Sequence, residues 1–345
     1  KKNTKSTFFL FNSCNPLFLV YFLLLKRKKR IMSGYIKPLS DKVTRESVKF
    51  SNRFGTELAG DLYYAKTLDK KAKSPALIVG GPFNGVKEQV CVYGDEMAQR
   101  GFVILIFDQI GMGDSKGEGR HVASPELFTE TFSAAVDYLG TKVTFIDREK
   151  IGAIGICGGA AFALSATAMD TRIKAVSSIG IIDMSQLARQ VPDKSIVIAM
   201  KDKLSRQRWV DVENGKPECK QNYPDKPVDE IPDGLQPLWS EFFAFYGLER
   251  GWHKNAINNF TTTSNLTFLN ANLLNYIDEI SPRPVLFITG DKDVTKPITD
   301  EIYKKAADPK ELVVVEWAQH IDFYDNYNNI IPFDKLKEFF NKNLK

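Results

Sequence analysis

The residue in this sequence with the most evident chemistry is Cys157, at the centre of the segment Gly-Ile-Cys-Gly-Gly (155–159). An apolar run precedes this segment and an alanine-rich run follows it, which predicts a strand, a sharp turn and a helix. Such a turn lifts a nucleophile above a sheet, and its flanking positions favour glycine because the backbone is crowded there. At a helix N-terminus, backbone N–H groups and the helix dipole also favour a thiolate. The segment therefore predicts a cysteine nucleophile, the alternative being a buried and inert thiol.

A nucleophilic cysteine needs a base, and the chain offers three histidines. His320 directly follows the last predicted strand, so it should lie at the same sheet edge as Cys157. His121 follows a glycine-rich loop and His253 belongs to a long insertion. We therefore predict that His320 is the base, and that the other two histidines are structural or line the substrate site.

The base in turn needs an acid that orients it. The segment Gly-Asp-Lys-Asp (290–293) follows the strand before His320, again at the same edge. We select Asp293, because the third position after the glycine should clear the strand end and turn toward the histidine. Asp291 and Asp183, which follows an earlier strand, are the alternatives.

Acyl transfer also requires donors for a developing oxyanion, each worth roughly 3–4 kcal/mol. One should be the backbone N–H of Gly158, directly after the nucleophile. The other should come from the turn after the first buried strand (80–85), where Pro82 has no N–H to give and Phe83 is the natural donor.

A second glycine-rich segment, Asp-Gln-Ile-Gly-Met-Gly-Asp-Ser-Lys-Gly (108–117), follows the next buried strand. Its glycines do not follow the dinucleotide pattern G-x-G-x-x-G, and no acidic residue follows a second strand at the distance a ribose contact needs. The histidines are scattered and no C-x-x-C occurs. We therefore expect neither a cofactor nor a metal.

Strands and helices must alternate to bring these residues to one edge. Apolar runs predict an antiparallel edge hairpin (48–51 and 58–64) and further strands at 76–80, 102–107, 151–157, 173–179, 284–289 and 312–315. Helices are predicted at 87–100, 125–139, from the turn at Cys157 to 170, between the last two strands, and at 333–343. This order predicts an α/β fold, a mostly parallel, doubly wound sheet with helices on both faces.

Residues 184–281 interrupt the alternation and are too long for an ordinary loop. They carry helical signals, namely apolar residues at 196, 200 and 204 and an aromatic cluster at 239–246. We predict a cap over the carboxyl edge of the sheet, whose aromatics pack on the core, with some of Trp239, Tyr246, Trp252 and Phe260 also contacting substrate. The predicted organisation is an N-terminal extension (1–41), a first core part (42–183), the cap (184–281) and a second core part (282–345).

The N-terminal extension differs in composition from the rest of the chain. Its residues 1–31 hold the apolar run 8–25 and eight basic residues without an acidic one, so the rest of the chain is mildly acidic despite the net charge of +5. This charge distribution predicts no nucleic-acid partner. The extension is interpreted as spurious or disordered, because Met32 would suit a start, or as a membrane anchor or targeting peptide. With four cysteines and no disulfide framework, a cytoplasmic protein is expected, membrane-anchored if 8–25 is a real anchor.

From about Lys42 to its end the chain resembles the dienelactone-hydrolase-like α/β-hydrolases. The resemblance is carried by G-P-F-x-x-V-K-E-Q (81–89), G-I-C-G (155–158) and H-I-D-x-Y-D (320–325). It implies the α/β-hydrolase fold and the triad Cys157, Asp293 and His320, whose order along the chain is the order that this fold uses. It does not imply a substrate. A related branch resembles transferases that move polyketide acyl groups onto an alcohol.

Three functions follow from these residues. The first is hydrolysis of a small-molecule ester, lactone or thioester through an acyl-enzyme on Cys157. The second keeps the acyl-enzyme and passes the acyl group to an alcohol or amine held under the cap. The third is a binding protein without catalysis on a hydrolase fold.

Overall fold

The computed structural model describes residues 34–83, 85–117, 119–256 and 260–345. The apolar segment 8–25, for which a membrane anchor was one interpretation, lies outside these residues. Within the described ranges, no helix combines the length and the apolar character that crossing a membrane requires.

An eight-stranded sheet forms the centre of the protein, with spatial order β1-β2-β4-β3-β5-β6-β7-β8. The strands are β1 Val43–Ser51, β2 Glu57–Ala65, β3 Ser74–Gly80, β4 Val103–Phe107, β5 Ile146–Ile156, β6 Ile173–Ile179, β7 Val285–Gly290 and β8 Lys310–Val315. β1 and β2 pair antiparallel with each other, and β2 pairs antiparallel with β4. All remaining neighbours are parallel. The predicted mostly parallel sheet with an antiparallel edge hairpin is therefore confirmed.

Helices follow the strands and cover the sheet. They are α1 Cys91–Gln99, α2 Pro125–Lys142, α3 Gly158–Met169, α4 Met184–Leu187, α5 Lys194–Glu213, α6 Pro237–Tyr246, α7 Ser264–Phe268, α8 Lys296–Lys305, α9 Asp322–Asp325 and α10 Phe333–Asn343. Short 3₁₀ turns span Lys87–Val90 and Ile277–Ile280. The predicted helix at 87–100 thus starts as a 3₁₀ turn, and β5 starts five residues earlier than predicted, at Ile146.

The burial pattern explains why these segments adopt their structures. Every residue of β4 is buried, as expected for a strand covered on both faces. The last helix, α10, is instead amphipathic and buries Phe333, Leu336, Phe339 and Phe340 on one stripe against the sheet. The apolar core therefore lies on both faces of the sheet, and the carboxyl ends of the parallel strands are left for polar residues.

The segment between β6 and β7 contains α4 to α7 and the second 3₁₀ turn. Helix α5 buries Val197 and Leu204, while Ile196 is 40% exposed, so the apolar spacing predicted the helix but misplaced part of its inward face. Helix α6 carries most of the aromatic cluster and buries Phe242, Phe243, Phe245 and Tyr246. The division of the chain into core and cap parts stays a prediction.

Close backbone packing fixes the turn between β5 and α3. A Cβ added at Gly159 would lie 2.2 Å from the carbonyl oxygen of Gly81 and 2.6 Å from that of Gly80. Only glycine lets the first turn of α3 approach the end of β3 this closely. The turn after β3 and the start of α3, which flank the predicted oxyanion site, can therefore lie in direct contact because Gly159 has no side chain.

Replacing Gly159 by alanine should destabilise the protein by about 2 kcal/mol or more, because the contacting atoms are backbone oxygens that cannot rotate away. The check is the free energy of unfolding from urea titration. Gly140→Ala in α2 is the matched control: its Cβ would meet its nearest neighbour at 3.4 Å, an ordinary contact. That change should stabilise the protein by about 0.5–1 kcal/mol through helix propensity. Equal effects of the two changes would contradict this account of the turn.

Candidate active site

Cys157 lies between β5 and α3 with φ of 58° and ψ of −124°. This backbone conformation is costly for a residue other than glycine and persists only where the surroundings enforce it. Its N–H donates to the carbonyl of Ile179 (2.9 Å), and its carbonyl accepts from the N–H groups of Ala160 (3.0 Å) and Ile182 (3.1 Å). These bonds hold the thiol, in a residue only 5% exposed, at the carboxyl edge of the sheet.

His320 and Asp293 come together at the same edge. The histidine follows β8 and the aspartate follows β7, and His320 Nδ1 lies 3.1 Å from Asp293 Oδ1 with both side chains fully buried. The side chain of Cys157 lies close enough to the imidazole to raise the pKa of His320. The structure thus brings the thiol, the imidazole and the carboxylate of the three predicted residues together at one edge of the sheet.

The two alternative acids do not bond to His320. Asp291 Oδ1 accepts the backbone N–H of Trp317 (2.6 Å). Asp183 caps the N-terminus of α4, where its Oδ1 accepts the N–H of Ser185 (2.8 Å). Asp291 therefore links the turns after β7 and β8, and Asp183 stabilises the start of α4.

Asp293 is held by two threonines that the sequence reasoning missed. Its Oδ1 accepts the N–H of Thr295 (2.7 Å) and the Thr295 hydroxyl (2.8 Å), and its Oδ2 accepts the Thr289 hydroxyl (3.3 Å). Burial would raise the pKa of Asp293, but the charge and hydrogen bond of His320 and the bonds from Thr295 hold this pKa below its usual value. The acid is therefore a fixed carboxylate at neutral pH.

The pKa of His320 shifts in the opposite direction. Burial would lower it, but the Asp293 carboxylate and Cys157 raise it well above its usual value. Gly180, at the end of β6 with φ of 52°, closes over the pair: a Cβ there would lie 3.2 Å from His320 Nδ1 and 3.3 Å from Asp293 Oδ2. The imidazolium–carboxylate pair is thus packed from several strands at once.

The two predicted oxyanion donors are neighbours in space. A Cβ added at Gly158 would lie 2.7 Å from the Cβ of Phe83 and 3.3 Å from its backbone nitrogen. Gly158 is the first residue of α3, where a helix leaves its N–H groups without partners inside the helix. The phenyl ring of Phe83 packs among other aromatic rings, which fixes its backbone: Phe128, Phe162, Phe260 and Phe268.

The glycine-rich segment after β4 has a structural role that supports this turn. Asp108 accepts the N–H groups of Lys87 (2.8 Å) and Asp114 (2.9 Å) and pairs with the ammonium of Lys87 (3.2 Å). Lys87 is only 4% exposed and directly follows the turn that carries Phe83. The buried charge pair ties the turns after β3 and β4 together.

Tyr324 is the residue of this site that sequence reasoning missed most clearly. Its hydroxyl lies 2.9 Å from His320 Nε2, and Cys157 and Tyr246 both interact electrostatically with it. Burial, and then Cys157, raise the pKa of Tyr324 well above its usual value, so it stays a neutral phenol. The only signal in the sequence was its place in the segment His-Ile-Asp-Phe-Tyr-Asp (320–325).

Residues of the 184–281 segment hold the loop that carries His320. Glu241 accepts the N–H of Ile321 (3.2 Å), and the Phe242 ring lies edge-on to the imidazole with 5.4 Å between centroids. Arg250 forms ion pairs with Asp322 (3.1 Å) and Asp325 (2.9 Å). His320 is therefore positioned from the insertion as well as from the sheet.

A cavity of about 250 Å³ opens above Cys157. Most of its lining is apolar or aromatic, and four polar residues also contribute: Lys220, Asn222, Thr262 and Asn265. The apolar and aromatic lining consists of Phe83, Ile182, Met184, Leu187, Tyr223, Trp239, Phe242, Tyr246, Phe260 and Tyr324. Of the four aromatics predicted to contact substrate, Trp239, Tyr246 and Phe260 line this cavity.

The other predicted lining residues lie elsewhere. Trp252 instead donates its indole N–H to the carbonyl of Pro224 (2.9 Å). His253 is buried, and burial lowers its pKa to about 4, whereas His121 lies in a loop with φ of 63°. Neither histidine lines the cavity above Cys157. In the described part of the chain, no cluster of three or more His, Cys, Asp or Glu side chains has the arrangement to hold a metal ion.

The chain belongs to the α/β-hydrolase fold family, whose model matches residues 77–327. This match confirms the predicted fold class, and similar proteins agree with it. Protein PA2218 of Pseudomonas aeruginosa is 40% identical over 315 residues, which cover 89% of this chain and 83% of that protein. Its crystal structure superimposes with a TM-score of 0.84 and 39% identity, covering 90% of this chain and 96% of that one.

Two fungal relatives have named activities. The thiohydrolase aneE of Aspergillus aculeatus is 27% identical over 294 residues, covering 81% of this chain and 88% of the relative. The polyketide transferase grgF of a Penicillium species is also 27% identical, over 282 residues, covering 81% of this chain and 90% of the relative. The chain is thus similar both to a protein named as a thiohydrolase and to one named as a polyketide transferase.

Replacing Asp293 by asparagine should lower the free energy of unfolding by about 3 kcal/mol near pH 6, because a buried charge pair loses one partner. The contribution of Asp293 exists above its unfolded pKa of 3.8 and disappears as pH falls through its lower folded value. That of His320 is complete below its unfolded pKa of 6.5 and disappears as pH rises through its higher folded value. The effect should therefore be largest between these limits and shrink in acid.

Urea unfolding at a series of pH values measures this dependence. Asp291→Asn is the matched control, since that carboxylate is partly exposed and an amide oxygen can still accept the Trp317 N–H. A penalty for Asp293→Asn that does not vary with pH would show that the pair is not ionised.

Proposed function

We propose that this protein is an acyl-transfer enzyme in which Cys157, His320 and Asp293 form the catalytic triad of a hydrolase for esters, lactones or thioesters. The observation that carries this proposal is the buried imidazole, which lies 3.1 Å from the carboxylate of Asp293 and close enough to the side chain of Cys157 for Cys157 to raise its pKa. The strained backbone at Cys157 supports it, because strain of this kind is retained where it positions a reacting group.

The first half-reaction forms an acyl-enzyme. The Cys157 sulfur attacks the carbonyl carbon of the substrate, and its proton resides on His320 Nε2, either before the attack as an ion pair or during it. The imidazolium then protonates the leaving alcohol or thiol as the carbonyl bond to it breaks. Asp293 keeps a proton on Nδ1 and stabilises the positive ring, as its 3.1 Å bond allows.

The N–H groups of Phe83 and Gly158 are proposed to receive the oxyanion of the tetrahedral intermediate. Their backbones adjoin directly above the nucleophile, and both are fixed by packing before substrate binds. Preorganised donors of this kind contribute roughly 3–4 kcal/mol each to the stability of the transition state.

In the second half-reaction a hydroxyl-bearing acceptor attacks the thioester on Cys157. If the acceptor is water, the reaction is a hydrolysis, as the name of the thiohydrolase aneE states for that protein. This proposal includes the role of Cys157 as the nucleophile and the resemblance to the dienelactone-hydrolase-like subgroup. The apolar lining of the cavity favours an acyl group of largely hydrocarbon character.

Transfer to an alcohol or amine is the second candidate function. The aromatic residues over Cys157 favour it, because an apolar cavity disfavours water and can hold an organic acceptor instead. Similarity to the polyketide transferase grgF points the same way. Product analysis with a model ester and competing alcohols distinguishes the two, since hydrolysis yields the free acid and transfer yields a new ester.

Incubation with a p-nitrophenyl acyl ester should add one acyl group per chain, observed by intact-mass spectrometry, and peptide mapping should place it on Cys157. Cys157→Ala should abolish the adduct and lower nitrophenol release by about a thousand-fold or more, with an unchanged melting temperature. His320→Ala should slow adduct formation strongly, because the thiol loses its base.

The control is Cys219→Ala, since Cys219 is the exposed free cysteine of the described residues and the one most open to nonspecific acylation. This variant should keep the adduct and the full rate. An adduct that survives in Cys157→Ala but disappears in Cys219→Ala would contradict the proposed function. No adduct and no nitrophenol release across esters of different chain length would favour a binding protein.

A further inference from the structure

Tyr324 places a hydroxyl where the acceptor of the acyl group has to be activated. In the second half-reaction the acceptor O–H must reach His320 Nε2, because this nitrogen takes its proton. The Tyr324 hydroxyl lies 2.9 Å from that nitrogen, and Tyr324 lines the cavity together with Cys157. The mechanism proposed above gives this group no role.

The hydrogen bonds available to the three groups determine what the hydroxyl can do. His320 Nε2 has a single position, which holds either a proton or a lone pair. When the ring is charged, that N–H can donate to the sulfur or to the Tyr324 oxygen 2.9 Å away, and the Tyr324 O–H can donate to the sulfur. Tyr246 is buried, its ring centroid lies 6.1 Å from that of Tyr324, and the two residues interact electrostatically, so the Tyr246 hydroxyl can serve as a partner of the Tyr324 oxygen.

Acylation of Cys157 removes its sulfur as a hydrogen-bond acceptor for Tyr324. Once the sulfur is bound to the acyl carbon, it carries no charge and is a poor acceptor, so the O–H of Tyr324 can donate to the lone pair of His320 Nε2 or to an acceptor that takes its place there. An acceptor that donates its own proton to His320 Nε2 would place its oxygen beside the Tyr324 hydroxyl. The oxygen could then accept from the phenol while it attacks.

We propose that Tyr324 is a catalytic residue of the second half-reaction, whose hydroxyl receives the acyl acceptor and holds its oxygen against His320. This inference rests on the proposed function. The acceptor oxygen forms a bond to the acyl carbon and its proton passes to His320 Nε2. The bond from that carbon to the Cys157 sulfur then breaks, and the proton returns from Nε2 to the sulfur. Tyr324 supplies a hydrogen bond throughout and is not consumed.

Packing alone does not account for a tyrosine at this position. The ring of Tyr324 meets the ring of Phe245 edge-on at 5.0 Å between centroids, and a phenylalanine would make the same contact. The helix turn that carries it is already fixed by the pairs of Arg250 with Asp322 and Asp325. What tyrosine adds over phenylalanine is the buried hydroxyl, which lies within hydrogen-bond distance of His320 Nε2.

The test measures the two half-reactions separately in Tyr324→Phe. Rapid mixing with a p-nitrophenyl ester gives the burst rate, which reports acylation, and the decay of the adduct by intact mass gives deacylation. We expect acylation within about threefold of the unaltered protein and deacylation slower by about tenfold or more, the value of one lost hydrogen bond to a reacting group. The acyl-enzyme should therefore accumulate.

Tyr93→Phe is the matched control. Tyr93 is a fully buried tyrosine whose hydroxyl donates to the carbonyl of Phe323 (2.6 Å), next to Tyr324 but away from His320. It should leave the ratio of the two rates unchanged. Tyr246→Phe is the second variant: losing support for the Tyr324 hydroxyl should slow deacylation by a few-fold, and this variant decides the question if Tyr324→Phe does not fold.

The outcomes separate this inference from the proposed function. An adduct that forms on Cys157 and decays at the same rate in the tyrosine variants would overturn the role of Tyr324 and leave the triad intact. Equal slowing of both half-reactions would also overturn it, because that result indicates a role in positioning His320. Absence of any adduct in the unaltered protein would overturn both.

Discussion

The arrangement at the carboxyl edge of the sheet depends on one constraint, the presence of a charged pair, His320 and Asp293, from which solvent is fully excluded. A buried charge is costly unless every lone pair and proton has a partner, and a half-satisfied pair is worse than an apolar core. The strand ends supply those partners: Thr289 and Thr295 donate to the carboxylate. The backbone of β6 closes over the pair at Gly180, where no Cβ is present to separate it from the two side chains.

The same constraint explains why the insertion and the sheet form one site. His320 lies on a loop, and loops by themselves position side chains loosely. Glu241 binds the N–H that follows the histidine, and Arg250 binds the two carboxylates of the next helical turn. Both residues belong to the segment between β6 and β7. The segment that supplies much of the cavity lining therefore also holds His320 in place.

The sequence was sufficient to predict the residues that converge, because convergence follows from topology. Parallel strands end at one edge, so a cysteine, an aspartate and a histidine placed directly after strands must come close together. The supporting residues could not be predicted in this way. Thr295 differs from any loop threonine only through a 2.8 Å contact, and Tyr324 only through a 2.9 Å contact with His320. The misassigned face of α5, with Ile196 outward, has the same origin: spacing predicts a helix, but its partner decides which side is buried.

Burial also links the chemistry of the thiol to the choice of acceptor. With Cys157 5% exposed beneath an aromatic-lined cavity, any acceptor must approach through the space that the acyl chain leaves. In such a space the hydrogen-bonding groups that remain near the acyl carbon determine which hydroxyl can be held there. Relatives with the same fold are named as a thiohydrolase and as polyketide transferases. Under the proposed mechanism, a change from water to an organic alcohol would keep the same nucleophile and base. It would need only a different balance between apolar wall and fixed donors, to which residues between β6 and β7 and the turn after β8 contribute by lining the cavity.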